Sequence, residues 1–293
     1  YLIACTPSFV DGNIVVDSGR FGPAGMFVAI VIGMLTGLVY HLYAKLHVLE
    51  DSTVIPDFVC EWINQMLPLF IVVLVSTLIT QNAGIDAYAV IASVFAPLQN
   101  LGFTLPGFVI IVFAQAFLYS MGISSWFVSA FTTPILMAGT ALNVAAAAAG
   151  QEPTVIVCYE TIYLLCFATL GGTGCTLPLN VMMMFSKSER LKTTGRICIA
   201  PSIFNINEPV VFGAPIVFNP LLMLPMWVNS IASALLTWFL MSAHLLKVPA
   251  ASVTTGQIPA PIGYIMVTGD FRALLWLVVD FAMCWAIWWP FFK

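Results

Sequence analysis

Apolar runs of about 20 residues, the length that crosses a bilayer as a helix, recur along the chain and are cut by short polar stretches. The first runs from Phe21 to Tyr43 and is ended by Lys45 and His47. A polar stretch from Glu50 to Glu61 follows, and Trp62 to Ile85 contains no Asp, Glu, Lys or Arg. No charged residue occurs from Ala87 to Gln151, yet Pro97, Gly102, Pro106, Gly107, Gly122 and Pro134 divide that stretch. The pattern predicts an interfacial amphipathic segment near Asp86 to Leu101, a span near Pro106 to Met121 and an interrupted segment after it. Ala145 to Gly150 reads as a flexible loop. Cys158 to Phe185 is apolar but carries Gly171-Gly172-Thr173-Gly174, a cluster that breaks or bends a helix within the membrane. Leu221 to Leu246 and Ala273 to Phe292 read as the last two spans. Thr268-Gly269-Asp270 supplies turn and cap residues in front of the final one, so Asp270 is expected to start it.

Composition fixes the solvent. With 61% hydrophobic residues, 8% charged and a mean hydropathy of +1.02 over 293 residues, a soluble globule would lack the polar surface to cover itself. The expected fold class is an all-α membrane protein, a polytopic helical bundle with re-entrant or broken hairpins. The formal net charge of -4 is spread thinly, with no basic stripe among aromatics, so nucleic acid is not an expected partner. The seven cysteines contain no C-x-x-C pair, and the sequence implies neither a disulfide framework nor a metal site. The chain begins at Tyr1 with no basic region ahead of an apolar stretch, which reads as part of a longer chain without a visible signal peptide. Lys187, Arg190, Lys192 and Arg196 share one short connection and Lys293 is the last residue. The positive-inside rule places both on the cytoplasmic side.

Between Arg196 and Lys247 the only formally charged residue is Glu208, in Phe204-Asn205-Ile206-Asn207-Glu208-Pro209. A carboxylate in a low-dielectric layer costs about 2.5–3.5 kcal/mol on insertion scales, so its presence there asks for a function. Pro209, Gly213, Pro215 and Pro220 forbid one regular spanning helix, and broken helices at membrane depth are where transporters hold polar ligands. Asn205, Asn207, Glu208 and Asn219 supply groups suited to sugar hydroxyls, with Phe204, Phe212 and Trp126 as aromatics for stacking. Glu208 could instead cap a hairpin through buried backbone N–H groups. Glu160 and Asp280 also interrupt apolar surroundings. Asp280 should face protein or a water-filled cavity, as a proton-coupling group or an interhelical hydrogen-bond acceptor. His41, His47 and His244 stand near span ends as interfacial anchors, and Trp285, Trp288 and Trp289 read as an aromatic belt. No phosphate loop, nucleophile elbow or dinucleotide fingerprint appears, so any enzymatic step must lean on a protein partner.

Along Phe204–Pro209 and Phe212-Gly213-Ala214-Pro215-Ile216-Val217-Phe218-Asn219-Pro220 the chain resembles the membrane subunit, enzyme IIC, of bacterial sugar phosphotransferase systems. The similar branch is the lactose, cellobiose and diacetylchitobiose group. Gly171–Gly174, Phe185-Ser186-Lys187-Ser188 and Thr268–Ala273 leading to Pro290-Phe291-Phe292-Lys293 are similar in the same order. The resemblance implies a homodimeric, multi-pass permease of the inner membrane with its C-terminus in the cytoplasm. Residues 1–105 would belong to the N-terminal dimerisation region with interfacial amphipathic helices, and 106–293 would form the sugar-binding transport region. The pattern also begins part-way in, with the family's first spans absent.

It further implies that phosphate passes through enzyme IIA and phospho-enzyme IIB to the 6-hydroxyl of a disaccharide, with no cofactor bound in the membrane subunit. Glu208 would hydrogen-bond that hydroxyl and help remove its proton. Asn207 and the backbone from Gly172 through Thr173 to Gly174 would line the same pocket. Where the family has Gly-Ile-His-Gly, this chain reads Gly122-Ile123-Ser124-Ser125, so Ser124 stands in place of the histidine that contacts the reacting hydroxyl. A serine hydrogen-bonds a sugar but is no general base at neutral pH. Beside the coupled permease stand an uncoupled sugar carrier and a truncated, non-transporting remnant.

Overall fold

The computed structural model describes residues 1–10, 13–46, 56–165, 170–253 and 257–292. His47, Glu50, Cys166 and Lys293 lie outside the described residues. The chain divides into two compact units, Tyr1–Pro97 and Leu98–Lys293.

The first unit opens with the one departure from an all-α chain among the described residues, a short antiparallel hairpin of β1 (Ser8–Val10) and β2 (Asn13–Val15). Helix α1 spans Pro23–Ala44, with proline in the first turn, where a missing N–H costs nothing. Helix α2 spans Asp57–Thr77 and continues into a π-helical turn, Leu78–Asn82. Both are long and apolar enough to cross a bilayer, and most of their surface is left for lipid or another chain. Helix α3 covers Ala87–Gly102. Ahead of it, Asp86 takes two hydrogen bonds from the Arg20 guanidinium, at 2.8 and 2.5 Å, and Arg20 also lies 4.9 Å from the centre of the Tyr88 ring. These hydrogen bonds hold the Asp86 carboxyl below the usual carboxylate range.

In the second unit, α4 (Leu105–Ser120) starts at Thr104, whose hydroxyl accepts from Gly107 N–H. The interruption expected after it is not there. Helix α5 runs unbroken from Ser125 to Ala148 with Pro134 buried inside it, and the expected loop from Ala145 is its last turn, ended at Gly150. Proline is tolerated inside a membrane helix when neighbouring elements satisfy the freed backbone, and Gly122-Ile123-Ser124 places the real break one segment earlier.

The glycine cluster breaks its stretch as expected. A π-helical turn at Thr161–Leu165 precedes it, and α6 (Leu177–Met184) follows. Helix α7 (Glu189–Ile203) then leads to α8 (Glu208–Gly213), only six residues long, and α9 (Pro220–Ser242). Helix α10 (Ala260–Thr268) ends at Gly269, and α11 (Arg272–Phe292) starts where Asp270 accepts from Arg272 N–H at 3.0 Å. The Arg272 side chain, 2.9 Å away, is the main cause that holds the Asp270 carboxyl below the usual carboxylate range. Helix α9 packs against α4 and α11, and α6 packs against α7 and α11. Among the described residues five helices meet the length and hydropathy of a span, six if α3 and α4 are one broken span.

Two polar expectations are resolved by packing. Glu160 is wholly buried and accepts from the Thr140 hydroxyl at 2.6 Å and from Val253 N–H at 3.0 Å, which ties α5 to the segment before α10. Trp288 is no belt residue. It is fully buried and its indole N–H donates to the Cys175 carbonyl at 2.9 Å, while Trp289 on the same helix is half exposed.

Candidate functional site

The breakers around Glu208 gather three chain segments. Asn205 sits in the left-handed region at φ +61°, a conformation asparagine tolerates better than most residues. Its side chain accepts from Gly171 N–H at 3.2 Å and donates to the Ile258 carbonyl at 3.1 Å. The glycine turn, the α7–α8 connection and the strap before α10 are therefore joined by one amide. Two residues on, buried Asn207 donates to the Thr173 carbonyl at 2.8 Å. Gly172, at φ +95°, passes so close that a Cβ there would run into the Asn207 side chain.

Glu208 begins α8 and is exposed on this side. It opens onto a cleft that Gly172, Thr173, Asn205 and Asn207 also line, with Gln257 from the strap before α10. The first turns of α5 form another wall through Ser125, Trp126, Ser129 and Thr133. Tyr159 and Tyr163 complete it, their rings 4.6 Å apart. The Tyr163 hydroxyl lies 3.0 Å from the Ser129 hydroxyl and accepts from the Gln115 amide at 3.2 Å, which fixes the ring against α5. Among the described residues Glu208 is the only formally charged one lining the cleft. Its other groups are hydroxyls, amides and aromatic faces. Such a set suits a neutral, hydroxyl-rich ligand, with rings to cover its apolar faces and a carboxylate to accept from a hydroxyl.

Of the residues anticipated from sequence, Trp126, Gly172, Thr173, Asn205, Asn207 and Glu208 line this cleft together. Ser124, Gly174 and Asn219 are placed otherwise. The Ser124 hydroxyl accepts from Trp126 N–H at 3.3 Å and caps α5, while its neighbour Ser125 faces the cleft. Gly174 packs so closely on α9 that a Cβ would strike Met226. Asn219 caps α9, accepting from Leu221 N–H at 3.2 Å. Phe204 and Phe212 are exposed and do not line the cleft.

Sequence reasoning passed over Ser125, Ser129, Thr133, Tyr159, Tyr163 and Gln257. A signal existed for five of them. Ser125, Ser129 and Thr133 recur every fourth residue, and Tyr159 and Tyr163 are one turn apart, so each group marks one polar stripe on a helical face.

Apolar helices around such a cleft define a multi-pass membrane carrier. Residues 3–230 match the family described as "Phosphotransferase system, EIIC", and the chain belongs to that family. It is 30% identical to the PTS system cellobiose-specific EIIC component of Geobacillus stearothermophilus over all of this chain and 68% of that relative. It is 28% identical to the PTS system lactose-specific EIICB component of Lacticaseibacillus casei, over all of this chain and 52% of that protein. The crystal structure of the transporter ChbC, the IIC component from the N,N'-diacetylchitobiose-specific phosphotransferase system, superposes with a TM-score of 0.81 at 30% identity. That match covers 98% of this chain and 70% of ChbC. The chain thus spans about two thirds of the length of the EIIC relatives it matches.

Proposed function

We propose that the chain carries a β-linked disaccharide across the inner membrane for phosphorylation at its 6-hydroxyl by phospho-enzyme IIB. The observation that carries this reading is the convergence of Glu208, Asn207 and Trp126 with Tyr159 and Tyr163 on one cleft. Relatives named for cellobiose, lactose and diacetylchitobiose support the substrate class, and a relative named as an EIICB component supports the partner. Asn207 and the turn at Gly172-Thr173 hold the sugar, and Trp126 covers a ring face. Glu208 accepts the proton of the 6-hydroxyl as the oxygen takes the phosphoryl group from phospho-enzyme IIB. One O–P bond forms, the bond from phosphorus to the enzyme IIB side chain breaks, and that side chain leaves. Enzyme IIA reloads enzyme IIB. The exposed Lys187, Arg190 and Arg196 beside α7 fit the cytoplasmic face, as does a cytoplasmic C-terminus. The exposed apolar faces of α1 and α2 suit a dimer contact within the first unit.

A second reading, an uncoupled sugar carrier, rests on Ser124, whose hydroxyl is engaged in capping α5 and supplies no base. Vesicles holding the full chain, radiolabelled cellobiose and enzyme IIB with its phosphate donors separate the two. Sugar 6-phosphate in the lumen is the expected product. Free labelled sugar alone would make the chain an uncoupled carrier, and no uptake of either would remove both readings.

A further inference from the structure

Behind the sugar-facing turn, Cys175, Asp280 and Cys284 meet at one buried point, their ligand atoms all within 4.8 Å of one another. The sequence spacing gives no hint of it, because the turn before α6 supplies Cys175 while α11 supplies the other two. Asp280 and Cys284 are one helical turn apart, so their side chains share a face. Ser233 of α9 stands among them. Its hydroxyl is 2.8 Å from an Asp280 oxygen, 3.4 Å from Cys175 Sγ and 3.5 Å from Cys284 Sγ. All four residues are fully buried.

An acid at this depth needs its charge matched or its proton kept, and no ion pair among the described residues includes Asp280. Two thiols and the Ser233 hydroxyl surround it instead. One turn to either side on α9, Asn229 Oδ1 and Thr237 Oγ1 are buried without a hydrogen-bond partner among the described residues, so this face of α9 carries further unpaired oxygens. Cys175 is held at φ +52°, unusual for a residue with a side chain, and its carbonyl is fixed by Trp288. A backbone constrained this way aims the thiol.

We propose that Cys175, Asp280 and Cys284, with the Ser233 hydroxyl as a fourth donor, form a site for a divalent thiophilic cation of the zinc type. Two thiolates and a carboxylate match the ligand preferences of zinc, while magnesium and calcium prefer oxygen alone. Binding releases the two thiol protons, and any proton on the carboxyl, to solvent. A cation here joins α9 and α11 to the turn that carries Thr173, so it braces the sugar cleft from behind without touching sugar.

The test uses the full chain in lipid nanodiscs, reduced with a non-chelating phosphine, loaded with zinc or cobalt and desalted. Expected are about one metal equivalent per chain and, with cobalt, sulfur-to-metal absorption in the near ultraviolet. Cys284→Ser should lose at least about half of that absorption and bind at least about tenfold more weakly. Asp280→Asn, nearly the same shape and with both thiols kept, should also weaken binding and decides the matter if the serine variant fails to fold. Metal retained equally by a folded Asp280→Asn chain and wild type, or no sulfur-to-cobalt absorption in folded wild type, overturns the proposal.

Discussion

Glu160 and Glu208 look alike in sequence, each a lone acid among apolar and aromatic residues, yet their surroundings are opposite. Glu160 is sealed, with both carboxylate oxygens taken by Thr140 and Val253. Glu208 opens onto a cleft whose other groups are uncharged. The cost of placing an acid in a membrane is met in one case by fixed donors and in the other by an opening to solvent. An apolar neighbourhood therefore flags a carboxylate without saying which kind it is. The number of donors already pointed at it does.

The largest effect that would break this contrast is at Glu208. Glu208→Gln removes the proton acceptor and should cut sugar 6-phosphate formation at least about 100-fold, the scale of a lost general base. Its melting temperature should stay within a degree or two of wild type, and some sugar binding should remain. Normal phosphorylation by this variant would exclude Glu208 as the base.

Glu160→Ala should do the reverse. It strands two donors at about 1–3 kcal/mol each, and thermal unfolding should fall by several degrees with transport lost only in proportion to the unfolded fraction. A stable but inactive Glu160→Ala would move this acid into the functional group. A subtler probe is Gly172→Ala, which forces a side chain into a left-handed backbone against Asn207. Strain of about 1–3 kcal/mol should raise the half-saturating sugar concentration roughly tenfold, read from uptake at graded concentrations. Unchanged affinity would detach Asn207 from sugar binding.

Asp86 supplies the smallest effect and a third kind of acid, paired to arginine outside the spans. Its carboxyl is lowered in the folded chain, so its contribution is present above the unfolded value of about 3.9 and is lost as the pH falls through the lower folded one. Asp86→Asn should cost at most about 1 kcal/mol at neutral pH, because the pair is partly exposed. The gap from wild type should close below the ordinary carboxylate range. A gap that instead widens on acidification would mean that the Arg20 contact is not the cause.

The extent to which these features are legible in sequence follows from their range. Hydropathy and breakers mark α1, α4 and α11 closely and find α2 and α9 with looser ends, because span length and proline chemistry are local. The Asn205–Glu208 wall of the cleft was legible for the same reason. The α5 wall was not. Pro134 made that stretch look interrupted, and with the helix went the stripe of Ser125, Ser129 and Thr133. Asn219 and Ser124 show the converse error, since polar residues before a helix serve its unpaired N–H groups before any ligand. Nor could any window reveal the meeting of Cys175 with Cys284 or the burial of Trp288. Those contacts exist only once distant segments pack.

The Trp288 indole gives one of them a temporal meaning. Its hydrogen bond reaches back 113 residues to Cys175, beside the glycine turn that lines the cleft. As helices enter the bilayer in order of synthesis, every wall of the cleft is laid down before the residue that locks the turn. The turn stays unlocked until α11 arrives, so packing of that helix, and not of the cleft walls themselves, sets the moment at which the cleft takes its final shape.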